Sequence, residues 1–158
     1  MKNMLFAVCF GIGAVLLASV PAGATDPMSD SAPAGYYVFQ KVVYQNDGGL
    51  PDDRAYFERL ARNIGAHIAA TEGKVEIRVV SFSGGVKAFQ LAKSDAALAA
   101  SIDGLRAKGV RFLICRNTLK AMGLGPDDLY KVPPDDIVIS GVAELARLQG
   151  LGFVYIHP

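Results

Sequence analysis

The feature of this sequence that most constrains its fold is the alternation of short apolar, β-branched runs with amphipathic helical patterns. Five runs predict strands, at residues 36–45, 75–82, 110–115, 137–140 and 153–156, and helical patterns separate them at 52–71, 86–92, 95–108, 117–122 and 142–149. No two strands are joined by a hairpin signal. Because strands that alternate with helices pair in parallel, the pattern predicts an α/β fold with a mainly parallel five-stranded sheet, covered by helices on both faces.

Local signals place these elements along the chain. In the first helix, Leu60 and Ile64 recur with other apolar residues at three- and four-residue spacing, which is the period of a helix with one apolar face. The fourth helix is expected to be capped by Asn117 or Thr118. The polar stretch at 126–136, which contains a pair of prolines, is predicted to be a connection.

The N-terminal 24 residues predict a secretory signal peptide. Lys2 provides the positive start, residues 4–17 form an unbroken apolar run, and Ala22-Gly23-Ala24 is a small-residue cleavage site. Cleavage is expected after Ala24, with Ala22 as the second choice and an uncleaved membrane anchor as the alternative. The mature protein is then expected in the periplasm or outside the cell.

The rest of the chain is predicted to form one domain. Residues 25–35 are rich in Pro, Ala, Ser and Asp without a hydrophobic period, which is typical of a flexible leader, and residues 36–158 carry all the predicted elements. The whole chain has 158 residues, 51% of them hydrophobic, and a formal charge of +1 that falls to zero if Lys2 is removed with the signal peptide. This balance argues against a nucleic-acid-binding surface. No stable membrane span is expected after cleavage.

Cleavage would also remove Cys9 and leave Cys115 as the single cysteine. Two cysteines and two histidines are too few for a disulfide scaffold or for a Cys- or His-based metal centre, so neither a metal nor an organic cofactor is expected. His67 is predicted to be structural and His157 to be a solvated residue near the chain end. A lone exported thiol is buried and inert, paired between two chains, or reactive. The usual nucleotide-binding, metalloprotease and serine-hydrolase motifs do not occur.

The predicted topology brings the residues after each strand to one edge of the sheet, where open α/β sheets bind their ligands. Cys115 ends the third strand and leads into a helix, whose free N–H groups would stabilise a thiolate together with Arg116. The position of Cys115 by itself is equally typical of a buried packing residue that has no chemical role. The same edge carries the candidate substrate-binding residues, which are Asn46, Ser83, Gly84, Arg116, Asn117 and Ser140.

Residues 110–124, Val-Arg-Phe-Leu-Ile-Cys-Arg-Asn-Thr-Leu-Lys-Ala-Met-Gly-Leu, resemble the DsrE/DsrF-like (DsrEFH-like) family of sulfur-relay proteins. The resemblance extends to Tyr-Gln-Asn-Asp-Gly-Gly at 44–49, Ser-Phe-Ser-Gly-Gly at 81–85 and Val-Ile-Ser-Gly at 138–141, and it spans residues 36–158. It implies a three-layer α/β/α fold with a parallel sheet, flavodoxin-like in its general architecture. It also implies an oligomer, and we expect a homo-oligomer.

In sulfur-relay members of this family, the matching cysteine accepts sulfur as a persulfide and passes it to a partner. On this chain that residue is Cys115, and the implied partner is a small sulfur compound or a partner sulfur-carrier protein. Those members work in the cytoplasm, whereas this chain carries an export signal, so the expected function is that of an exported sulfur carrier or sulfurtransferase-like protein. Two alternatives remain: a non-catalytic oligomeric binding protein with an inert Cys115, and a redox sensor that forms an intermolecular disulfide.

Overall fold

Five parallel strands form the sheet of this protein. The structure, a computed structural model, describes residues 32–49 and 51–158, so the predicted signal peptide and most of the predicted leader lie outside the described residues. The strands are β1 (Gln40–Asn46), β2 (Val75–Ser81), β3 (Arg111–Cys115), β4 (Ile137–Val138) and β5 (Val154–Ile156). Their order in the sheet is β4-β3-β2-β1-β5, and every neighbouring pair is parallel. The predicted α/β fold with a five-stranded parallel sheet is confirmed.

Five α-helices connect these strands in the described part of the chain. They are α1 (Asp53–Ala70), α2 (Lys87–Leu91), α3 (Ala96–Ala107), α4 (Arg116–Met122) and α5 (Gly141–Gly150), with 3-10 turns at Ser83–Val86, Pro126–Asp128 and Pro134–Asp136. The longest helix, α1, is capped by Asp52, whose carboxylate accepts hydrogen bonds from the backbone N–H groups of Arg54 and Ala55. Within the same residues, no helix is long and apolar enough to cross a bilayer.

Of the helices at residues 51–158, four cover one face of the sheet and one covers the other. Because successive strand residues point to opposite faces, the central strands β1, β2 and β3 each contribute to two separate cores. The larger core joins alternate residues of β1, β2 and β3 to apolar residues of α1, α2, α3 and α4, including Phe57, Phe89, Ile102 and Leu119. The smaller core joins the other strand residues to α5 and consists of Val43, Val80, Leu113, Leu145, Leu148 and Phe153. Among the residues that the structure describes, the three layers are therefore unequal, and α5 is the one helix on its face.

The path of the chain across the sheet reverses between β4 and β5. Strands β1, β2, β3 and β4 follow one another in chain order toward one edge of the sheet. Strand β5 instead pairs with β1 and forms the opposite edge. As a result α4, which follows β3, lies on one face, and α5, which follows the neighbouring strand β4, lies on the other. The carboxyl ends of β3 and β4 thus form a topological switch point, which is where open α/β sheets usually bind ligands.

Two strands, β1 and β4, are shorter than predicted by more than one residue. β1 begins at Gln40 rather than at residue 36, because its pairing with β2 starts at Gln40 and Val75 and the preceding Phe39 remains exposed. β4 ends at Val138, because Ser140 already serves as the N-cap of α5. Both changes shorten the sheet without moving the predicted functional edge.

The predicted cap of α4 was wrong. The N-cap is Cys115, and not Asn117 or Thr118, because β3 passes into α4 without an intervening loop. Asn117 and Thr118 consequently lie in the first turn of the helix, where their backbone N–H groups have no intrahelical acceptor.

Candidate functional site

Cys115 lies at the switch point between β3 and β4. It is the last residue of β3, pairs with Val138 of β4 and caps α4. The residue is only 5% exposed, and its thiol is free. The structure therefore places Cys115 at the carboxyl edge of the sheet, as the sequence predicted.

Three backbone N–H groups and one hydroxyl near Cys115 favour the charged form of its sulfur, although none of them forms a hydrogen bond to it in the described part of the chain. The N–H groups are those of Gly141 at the start of α5 and of Asn117 and Thr118 in α4, and the hydroxyl is that of Thr118. Burial has the largest effect on the thiol and raises its pKa, but the four donors together outweigh burial, so the pKa of Cys115 lies below its ordinary value.

These donors do not form short capping hydrogen bonds with the thiol side chain. A thiol sulfur is a weak acceptor, so its contacts with N–H groups are long, whereas a thiolate attracts the same groups strongly. The first turns of two helices on opposite faces of the sheet thus converge on one sulfur atom. This arrangement favours the anion over the neutral thiol.

The close approach of α5 to the thiol depends on Gly141. Gly141 is buried, and a Cβ atom built on it would lie 2.9 Å from the Phe82 ring. Phe82 in turn packs against the smaller core, as does Val138. A residue with a side chain at position 141 would push α5 or Phe82 aside, so glycine is what allows the first N–H of α5 to reach the sulfur.

The loop after β2 reaches the site through Ser83 and Thr118. The backbone N–H of Ser83 donates a hydrogen bond to the Thr118 hydroxyl oxygen at 3.0 Å. Ser83 has a φ of 47°, in the left-handed region that residues other than glycine seldom adopt. This contact joins the carboxyl end of β2 to α4 beside the thiol.

Three of the predicted binding residues lie around the thiol. Asn117 contributes its backbone N–H, Ser83 contacts Thr118, and Ser140 caps α5 by accepting a hydrogen bond from the Ala143 N–H at 3.4 Å. Sequence reasoning did not include Thr118 or Gly141 among the binding residues. The Ser-Gly pair that opens the last predicted helix was the available signal for Gly141.

The other three predicted binding residues are placed differently. Asn46 is fully buried two strands away and donates hydrogen bonds to Ser81 Oγ at 2.9 Å and to the Gly85 carbonyl at 3.0 Å. Gly84 packs against α1, because a Cβ built on it would lie 2.5 Å from an Asp53 carboxylate oxygen. Arg116 is exposed at the start of α4. Their predicted contacts with a substrate stay predictions.

Neither histidine lies beside the thiol. His67 bridges α1 and β1, with its Nδ1 2.7 Å from the Tyr44 hydroxyl and its Nε2 2.7 Å from Gln40 Oε1, which agrees with the predicted structural role. His157 follows β5 and lies 3.1 Å from an Asp47 carboxylate oxygen. Since β5 is three strands from β3 and strands are about 4.8 Å apart, His157 is beyond hydrogen-bonding reach of Cys115. Within residues 32–49 and 51–158, no three His, Cys, Asp or Glu side chains are grouped so that they could hold a metal ion.

Comparison with known proteins identifies a family and solved structures that are similar to this chain. The model of the DsrE/DsrF-like family matches residues 52–158, a segment that contains the whole Cys115 site. The solved structure of a protein of unknown function from Methanobacterium thermoautotrophicum is 34% identical to this chain, with a TM-score of 0.64 over 75% of this chain and 99% of that one. No curated protein matches the sequence significantly.

Proposed function

The chain belongs to the DsrE/DsrF-like family, which is associated with sulfur relay, and we propose that it is a sulfur carrier that holds sulfane sulfur as a persulfide on Cys115. One observation carries this proposal. The sulfur of Cys115 lies at the switch point of the sheet among donors from two helices, which lower the pKa of its thiol despite burial. A cysteine that serves only as core packing has no need of such donors.

The proposed reaction is a nucleophilic displacement at sulfur. The Cys115 thiol first loses its proton to solvent, and the thiolate then attacks the sulfane sulfur of an anion such as thiosulfate or polysulfide. A new S–S bond forms on Cys115 while the S–S bond of the donor breaks, and the electron pair of that bond leaves with sulfite or with a shortened polysulfide. The product is a Cys115 persulfide anion, so no external oxidant or reductant takes part.

Transfer to an acceptor repeats the same chemistry. The thiolate of an acceptor, either a small thiol or a partner sulfur-carrier protein, attacks the outer sulfur of the persulfide, and Cys115 leaves as a thiolate. The donors that stabilise the resting thiolate also stabilise this leaving group. Because Cys115 is only 5% exposed, the donor and the acceptor must be small or must present their sulfur on an extended segment.

The place of action that we propose is outside the cytoplasm, since residues 1–24 have the pattern of a signal peptide. Sequencing the N-terminus of the protein recovered from the periplasm tests this, and a mature chain that begins at Thr25 is expected. A chain that keeps Met1 and remains in the cytoplasm would contradict it.

We also propose a homo-oligomer. In the described part of the chain, α5 is the one helix on its face of the sheet, and two apolar residues near its start, Ile139 just before it and Val142 within it, are 69% and 66% exposed. Light scattering of the purified protein should give a multiple of the chain mass, and a monomer at all concentrations would contradict the proposal.

Mass spectrometry after incubation with thiosulfate or polysulfide tests the persulfide directly. The peptide that contains Cys115 should gain the mass of one sulfur atom, and the gain should disappear after reduction. Cys115→Ser should abolish the gain, while Cys9→Ser, the matched control in the full-length chain, should retain it. The proposal is contradicted if the protein gains no sulfur, or if the Cys115→Ser variant gains as much sulfur as the wild type.

A second candidate function is a non-catalytic binding protein of the same fold with an inert Cys115. The 5% exposure of Cys115 and its place after the buried residues Leu113 and Ile114 favour this alternative. A thiol reagent separates the two. Labelling of the native protein at neutral pH supports the carrier, whereas labelling only after denaturation supports the binding protein.

A further inference from the structure

A cavity of about 380 Å³ lies at the amino end of β3, away from the Cys115 edge of the sheet. Strand β4 pairs with β3 at Ile114 and Cys115, so in the described part of the chain the first residues of β3 have no neighbouring strand on that side. The cavity is lined instead by residues of α3, of the start of β3 and of the connection at 131–136. The short β4 therefore leaves room for a cavity between these three segments.

Three cations and two carboxylates line this cavity. Arg111 Nε lies 2.5 Å from an Asp136 oxygen. Lys131 Nζ lies 2.7 Å from an oxygen of Asp103. The third cation, Arg106, has a longer contact of 3.7 Å between its Nη1 and the other oxygen of Asp103, which exceeds a hydrogen-bond distance. Because Asp103 already pairs with Lys131, one positive charge in the cavity lacks a carboxylate of its own.

The charge without its own carboxylate belongs to Arg106. Its side chain is only 23% exposed, and its Nη2 atom is buried without a hydrogen-bond partner among the described residues. The guanidinium lies over the ring of Phe112, 5.8 Å from the ring centroid, which holds it against the cavity wall. Unpaired buried donors of a charged group cost free energy, and native proteins satisfy nearly all of them. An acceptor from outside the chain would satisfy Arg106.

The connection that closes the cavity is fastened to α3. Lys131 has a φ of 48°, in the left-handed region that residues other than glycine seldom adopt. The Lys131 ammonium and the Tyr130 hydroxyl both bind Asp103 Oδ2, at 2.7 and 2.8 Å. Strained backbone of this kind persists where the surrounding contacts hold it in place. The lining groups therefore have fixed positions before any ligand arrives.

We propose that this cavity binds a small oxyanion, to which Arg106 donates paired hydrogen bonds and which Arg111 and Lys131 attract by their charge. The planar guanidinium presents parallel N–H groups that match two oxygens of a phosphate, a sulfate or a carboxylate. Three positive and two negative side chains give the cavity a net charge of +1, which one anion neutralises. Because Arg111 and Cys115 end the same five-residue strand, about 13 Å apart, this site does not rest on the proposed function.

Isothermal titration calorimetry with inorganic phosphate, sulfate and acetate in turn, at an ionic strength held constant with chloride, tests the proposal. The wild type should bind at least one of these anions saturably, with one anion per chain. Arg106→Gln should weaken this binding about tenfold to a hundredfold, as expected for lost hydrogen bonds between charged groups. Arg62→Gln is the matched control, because it removes the same charge from an exposed position on α1 and should leave the affinity unchanged.

Lys131→Gln is a second variant, which keeps the test decisive should Arg106→Gln not fold. It removes one positive charge from the cavity and frees Asp103 to pair with Arg106. The affinity for the anion should therefore fall in this variant as well.

The proposal is overturned if none of the three anions binds the wild type saturably, since water then satisfies Arg106. It is also overturned if the folded cavity variants bind the anion as tightly as Arg62→Gln does. Binding of the anion by a wild-type protein that gains no sulfur would leave this site standing and remove the carrier function alone.

Discussion

The ring of Phe82 lies against the backbone of Gly141, 2.9 Å from where a Cβ atom would project. Phe82 directly follows β2, and Gly141 is the first residue of α5, so this contact sets the distance between the two elements. The N–H of the same glycine is among the groups that lower the pKa of Cys115. Gly141 therefore links the packing of α5 against Phe82 to the stabilisation of the Cys115 thiolate.

Gly141→Ala is expected to lower stability and to raise the pKa of Cys115. The added methyl group must displace Phe82 or α5, which typically costs about 1–3 kcal/mol, and a displaced α5 no longer brings its first N–H to the sulfur. Urea denaturation and thiol titration measure the two effects. Gly150→Ala is the matched control, because a Cβ at position 150 of the same helix meets no atom within 4 Å. If the two variants have the same stability and the same Cys115 pKa, the contact between Gly141 and Phe82 controls neither property and the prediction is wrong.

Cys115 is expected to make the stability of the protein depend on pH. Since its pKa in the folded state lies below the ordinary value of about 8.5, the unfolded chain binds more protons between the two pKa values. The stabilisation is therefore fully present above about pH 8.5 and is lost as the pH falls through the folded-state pKa. The free energy of unfolding should rise with pH across this window in the wild type and not in Cys115→Ala. Parallel curves for the two proteins would contradict this prediction.

His67 is expected to lower stability in mild acid. Burial lowers the pKa of His67, so the folded state takes up its proton at lower pH than the unfolded chain, whose histidine has a pKa of about 6.5. Stability is thus complete above about pH 6.5 and falls as the pH drops toward the folded-state pKa. His67→Gln should flatten this fall in urea denaturation, whereas the control His157→Gln keeps His67 and should retain it. If the stability of His67→Gln still falls in mild acid as it does in the wild type, other titrating groups cause the fall and the prediction is wrong.

Asn46 is expected to support the sheet rather than the thiol. Its amide donates to Ser81 Oγ and to the Gly85 carbonyl, both buried, so Asn46→Ala leaves two acceptors unpartnered and should cost about 1–3 kcal/mol. Because Asn46 itself lies on β1, two strands from β3, the alkylation profile of Cys115 should stay that of the wild type. Ser81→Ala removes one of the same bonds and should cost less. A changed thiol profile with unchanged stability would instead assign Asn46 to the substrate site, as the sequence predicted.

The elements that the sequence predicted well are those defined by local chemistry. The helix at Asp53–Ala70 has both a clear apolar period and an Asp52 cap, and its observed bounds lie within one residue of the predicted range. The limits of β1 and β4 were predicted less well, because a strand ends where its neighbour stops pairing. That neighbour is distant in sequence, so no local pattern reports it.

By itself, the sequence determined the alternation of strands and helices, the parallel sheet and the place of Cys115 at the end of the third strand, since each follows from local periodicity and chain connectivity. Only the tertiary structure decided what surrounds the sulfur. The order β4-β3-β2-β1-β5 sends α4 and α5 to opposite faces, and this brings Gly141 to Cys115 and Ser83 to Thr118. Such contacts join residues from different βα units, and their geometry depends on how the units pack together.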